Sequence, residues 1–138
     1  MKKSKKYLKI SFLAFCFSLV SLVSVSAAGY NFNNFTIPKY QNWGVLGLFK
    51  TSSTTDYGTV RLSNMNLEAV TFRARSMDTN QNYGPFGSSK VVDQVGETVK
   101  VKYNQTYTAR TYIQLQARNH NWNSATRSIS GVFYVDGK

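Results

Sequence analysis

The chain has 138 residues, with 17 lysines and arginines against six acidic residues, a formal net charge of +11, one histidine and one cysteine. That length holds one domain, and a lone cysteine excludes a disulfide framework and a thiolate metal cluster. The positive balance favours anionic partners, while one histidine and few carboxylates leave little material for acid–base chemistry.

The first element is a leader. Lys2, Lys3, Lys5, Lys6 and Lys9 make a basic head, residues 10–25 form an apolar run, and Ser26-Ala27-Ala28-Gly29 closes it on small residues. This order predicts a secretory signal peptide over residues 1–28, cleaved near Ala28, and a secreted, extracellular protein. A transmembrane anchor needs about 20 consecutive apolar residues. The run here is shorter and is interrupted by Ser11, Ser18, Ser21 and Ser24. Leu13-Ala14-Phe15-Cys16 is a poor lipid-attachment box, because bulky Phe15 precedes the cysteine and the apolar run continues past it. Cleavage leaves residues 29–138 as a single cysteine-free domain with twelve basic and six acidic residues, a net charge of +6. A lysine-rich leader and a secreted chain without disulfides suit a Gram-positive exporter.

Alternation with period two dominates the rest. Strands are expected at Phe32–Ile37, Val45–Lys50 and Gly58–Leu62. Leu67, Val70 and Ala74 sit at rough helical spacing, but Val70, Phe72 and Ala74 also alternate with Thr71, Arg73 and Arg75. The β-formers there favour a strand. Asp78-Thr79-Asn80-Gln81-Asn82 imitates the start of a calcium loop, yet Tyr83 stands where the glycine belongs and Ser89 where the bidentate acid belongs. An Asn-rich turn into Tyr83-Gly84-Pro85-Phe86-Gly87 is expected instead, with no metal. Lys90–Val95 and Thr98–Tyr103 follow as strands, then one long strand from Gln105 to Arg118. In that strand Tyr107, Ala109, Thr111, Ile113, Leu115 and Ala117 face the core, and Thr108, Arg110, Tyr112, Gln114, Gln116 and Arg118 face water. A last strand spans Ile129–Val135. About seven or eight short strands without a long helix predict an all-β fold, a single small antiparallel β-sandwich or a flattened β-barrel.

The stretch Tyr112-Ile113-Gln114-Leu115-Gln116-Ala117-Arg118-Asn119-His120-Asn121-Trp122, followed by Ser128-Ile129-Ser130-Gly131-Val132-Phe133-Tyr134, resembles a family of small secreted Gram-positive proteins of unknown function. There a strand ending in an Asn-rich turn leads into a final strand with an S-x-S-G-aromatic pattern. In size and class the chain is also similar to the small secreted β-sandwich bacteriocins of the lactococcin 972 type, although it lacks their His-rich segments and Trp-ending tail. The first resemblance brings no catalytic residue, and the second implies an antagonistic role.

Catalytic constellations fail on inventory. His120 lies in a polar turn and there is no G-x-S-x-G elbow, so a nucleophile triad is not expected. Nothing in the spacing of Glu68, Asp93 and Glu97 selects a carboxylate pair for glycoside hydrolysis. The expectation is a protein that is not an enzyme and carries no cofactor.

Two surface features remain. Arg73, Arg75, Lys100, Lys102, Arg110 and Arg118 all point away from the core if the strands are right. They form one anion-contacting face or a scattering of solubilising charge, depending on strand order. Tyr83, Asn119, His120, Asn121 and Trp122 mix aromatics with amides, a combination suited to a binding turn. The expected function is therefore a non-enzymatic secreted protein at the bacterial cell envelope, bacteriocin-like or wall-associated, whose partners are cell wall polymers or an anionic membrane surface. The alternative is a glycan-binding adhesive module. No dense Lys/Arg cluster suggests nucleic acid.

Overall fold

The computed structural model describes residues 29–137; the leader expected over residues 1–28, with Cys16, lies outside the described residues. Among the described residues nine strands form: β1 (Gly29–Ile37), β2 (Gly44–Lys50), β3 (Thr55–Met65), β4 (Val70–Met77), β5 (Tyr83–Phe86), β6 (Lys90–Val92), β7 (Thr98–Tyr107), β8 (Tyr112–Asn119) and β9 (Arg127–Tyr134). The first sheet runs β1-β9-β3-β7 and the second β2-β8-β4-β5, with β6 also on β4. Every pairing is antiparallel. Among the described residues no strand pairing links the two sheets, so the architecture is a β-sandwich and not a closed barrel.

The alternation read from sequence becomes the core directly. Val60, Leu62, Val101, Phe133 and Ile129 of the first sheet are buried with Val70, Phe72, Ala74, Ile113 and Leu115 of the second. Burying side chains of this size stabilises the fold by about 1.5–3 kcal/mol each relative to exposure. Residues 70–77 are a strand, as the β-formers suggested. Gly131 sits mid-strand in β9, between Phe32 of β1 and Leu62 of β3. A Cβ there would meet the Arg61 carbonyl oxygen and the Phe32 ring, so the close approach of the three strands requires glycine.

Two expectations are corrected. Gln105–Arg118 is not one strand: β7 ends at Tyr107, Thr108–Thr111 turn, and β8 starts at Tyr112 in the other sheet. Arg110 takes φ 70° at this corner. Thr51, which is buried, staples it: its Oγ donates to the Thr108 carbonyl oxygen at 2.9 Å and accepts from the Thr111 N–H at 2.9 Å. Tyr83–Phe86, expected within a turn, is the short strand β5. Pro85 is tolerated because β5 lies at the sheet edge, where one side of the backbone needs no partner.

Candidate anion-binding face

The outer face of the second sheet collects three of the six expected basic residues. Cross-strand register sets Thr71 against Arg118, Arg73 against Gln116 and Arg75 against Gln114 on β4 and β8. Since Phe72, Ala74, Leu115 and Ala117 point into the core, the intervening residues project outward. Gln114 and Gln116, expected on a wet face, are only 4% and 6% exposed. They lie beneath the arginines they hold: Arg73 Nε donates to Gln116 Oε1 at 3.0 Å and Arg75 Nε to Gln114 Oε1 at 2.9 Å. Gln116 Nε2 donates to the same Gln114 Oε1 at 2.9 Å, which joins both supports into one chain.

Aromatic rings complete the face. The Arg73 guanidinium lies 3.8 Å from the Trp43 ring centroid and 3.7 Å from that of Phe86, so it is held between the two. Arg75 stacks on Tyr83 at 3.8 Å and reaches Phe86 at 4.6 Å, and Arg118 lies over Trp43 at 4.7 Å. The result is a ladder of alternating cations and rings: Arg118, Trp43, Arg73, Phe86, Arg75, Tyr83. Each such contact contributes about 0.5–2 kcal/mol, more as water is excluded.

The ladder is short of negative charge. Arg73 has its pKa lowered, first by burial and then by the neighbouring charges of Arg75 and Arg118. A guanidinium does not give up its proton in a protein. The Arg73 charge is therefore kept at a cost, first of burial and then of repulsion from Arg75 and Arg118, and a bound anion would offset the repulsive part. Arg118 Nε is buried without a hydrogen-bond partner. Stacking occupies the faces of the guanidinium planes and leaves N–H donors along their edges, the geometry that suits a bidentate oxyanion.

The other expected residues lie elsewhere. Lys100 and Lys102 are on β7 in the first sheet, Lys100 Nζ standing 4.5 Å from the Tyr57 ring centroid. Arg110 is at the inter-sheet corner. Tyr83 pairs with Met77 at one end of β4, whereas Asn119 pairs with Val70 at the other, so the expected aromatic–amide turn is divided. Seven strand steps separate the two ends, roughly 20–25 Å. Asn119, Asn121 and Trp122 instead line a cleft of about 550 Å³ with Asn66, Glu68 and Arg127. His120 is exposed, and its Nδ1 is 3.0 Å from Thr71 Oγ1. Asp78 accepts the Asn82 backbone N–H at 2.8 Å, the Asn82 Nδ2 at 3.2 Å and the Asn80 backbone N–H at 2.9 Å, and these bonds hold its pKa below the usual carboxylate value.

Sequence reasoning placed Arg73, Arg75 and Arg118 but missed Trp43, Phe86, Gln114 and Gln116 as parts of the same face. The available signal was the run of Arg on one strand and Gln on another, both without acids, awaiting a register to join them. The chain matches no protein-family model, no curated protein and no solved structure.

Proposed function

We propose that this is a secreted, non-enzymatic binding protein of the bacterial cell envelope, wall-associated or bacteriocin-like, which holds phosphate-bearing wall polymer on the outer face of its second sheet. One observation carries the reading. Three arginines are stacked on Trp43, Phe86 and Tyr83, and the charges of Arg75 and Arg118 join burial in lowering the Arg73 pKa. Such a face costs the fold electrostatic repulsion and gains from an oxyanion that bridges the guanidinium edges.

A second reading is supported by the same face. Val45 and Leu48 stand exposed on β2, across Gln116 and Gln114 of β8 from Arg73 and Arg75, and Tyr112 is exposed at the start of β8, an arrangement that also fits the headgroup region of an anionic bilayer.

The test is binding of the purified protein to isolated Gram-positive wall, before and after chemical removal of its phosphate polymer, at low and high salt, with cell viability followed in parallel. Binding that falls with salt and with polymer removal is expected, since exposed charge pairs are screened. Arg73→Lys keeps the charge but loses the planar fork, and should weaken binding about tenfold. Retention on stripped wall would move the partner to the peptidoglycan, and retention by vesicles only when anionic lipid is present would move it to the membrane. Loss of viability would favour the antagonist, and binding without killing the wall-resident module.

A further inference from the structure

We infer that the cleft between the β3–β4 and β8–β9 connections is a separate site for one neutral sugar residue of a glycan. Its volume of about 550 Å³ is that of a small-ligand site. Its polar lining is divided in the way that hydroxyls require. Asn66 Oδ1 accepts the Ser128 N–H at 2.8 Å, which orients this exposed amide with its N–H₂ group as a donor, while Asn119, almost fully buried in the floor, accepts the Asn121 N–H at 3.2 Å. Glu68 Oε2 accepts from Asn121 Nδ2 at 2.7 Å, so the carboxylate is held in place with acceptor capacity remaining. A sugar hydroxyl both donates and accepts, and here an oriented acceptor and an oriented donor share one cleft.

The rim supplies the apolar platform. Trp122 is 67% exposed, and its ring packs against Tyr40 at 5.3 Å between centroids. That pair is held at a cost, because Tyr40 and Gln41 adopt φ values of 59° and 58°. Side chains at such angles cost on the order of 1–3 kcal/mol each and persist only where surrounding contacts enforce them. The enforcing contacts are Tyr40 N–H to the Asn123 carbonyl oxygen at 2.8 Å and Gln41 Nε2 to the His120 carbonyl oxygen. An indole fixed in this way offers its face to the C–H side of a pyranose ring. Arg127 lines the same cleft, and its Nε is buried without a hydrogen-bond partner. One carboxylate and one guanidinium balance in charge, so the cleft selects a neutral ligand where the arginine ladder selects an anion.

The experiment is calorimetric titration of the purified protein with glucose-, galactose-, mannose- and N-acetylglucosamine-based trisaccharides at low and high salt. At least one is expected to bind with an affinity that salt does not change. Trp122→Ala and Glu68→Gln should each weaken that binding about tenfold, and Trp122→Phe should restore part of it. Arg73→Lys should leave it intact, which separates this site from the anion-binding face. Trp122 is exposed and loses only its packing on Tyr40, so its replacement should lower the melting temperature by a few degrees at most, and a variant still folded at the titration temperature shows that loss of binding is not unfolding. Absence of binding across all four trisaccharides would overturn the inference, as would binding indifferent to Trp122→Ala or abolished by salt.

Discussion

Tyr103 shows how a single polar atom is accommodated inside a sandwich that has no disulfide to support it. Its ring is buried between the sheets and its hydroxyl donates to the Val135 carbonyl oxygen at 2.6 Å. Burial pushes the phenol well above its ordinary pKa near 10, and the charge of Asp136 adds to the shift. The raised pKa means that the folded state keeps a proton that the unfolded state releases at about pH 10. The stability this group contributes is therefore fully present at neutral pH and falls as pH rises past the unfolded value. Tyr103→Phe should lose about 1–2 kcal/mol at neutral pH, the worth of a buried hydrogen bond. The gap to the parent protein should then narrow in urea unfolding series taken above pH ~10. A gap that stays constant with pH would contradict the assignment.

At the scale of elements, most strands were legible because the core imposes period two on β4, β7, β8 and β9. The corner between β7 and β8 was not. Tyr107 and Ile113 both point inward, so the alternation stays in phase across a change of sheet, and no glycine or proline marks the turn. What bends the chain is Thr51, distant in sequence, whose backbone N–H and carbonyl also bond Thr111 and Arg110 across the corner. The arginine ladder was half legible for the same reason. Arg73 and Arg75 lie on one strand, but Gln114 and Gln116 arrive from another, and Trp43 and Phe86 from segments on either side. Strand order, which only long-range packing decides, joins them. Arg110 holds φ 70° at the corner, a left-handed conformation that costs a residue with a Cβ about 1–2 kcal/mol. Arg110→Gly should therefore raise the thermal midpoint, and it should leave wall binding unchanged because Arg110 is not part of the ladder.

For the whole molecule, the question is whether its net charge or its charge placement does the binding. The chain from Gly29 onward carries +6, and basic side chains occur on both outer faces. Sheets pack about 10 Å apart, while the Debye length at physiological salt is about 8 Å. A ligand lying on the arginine ladder is thus largely screened from Lys100 and Lys102 on the opposite sheet. Two double variants decide the matter, since each lowers the net charge from +6 to +4. Arg73→Gln with Arg75→Gln removes two stacked guanidinium edges and should cost at least about tenfold in affinity for phosphate-bearing wall polymer. Lys100→Gln with Lys102→Gln makes the same change in charge where a single ring, Tyr57 beside Lys100, stands in place of the ladder, and should cost less than about threefold, chiefly through slower association. Equal losses would mean that diffuse attraction to a basic protein is enough. Unequal losses would mean that the sandwich uses one face as a built site and the other as ordinary solvated surface.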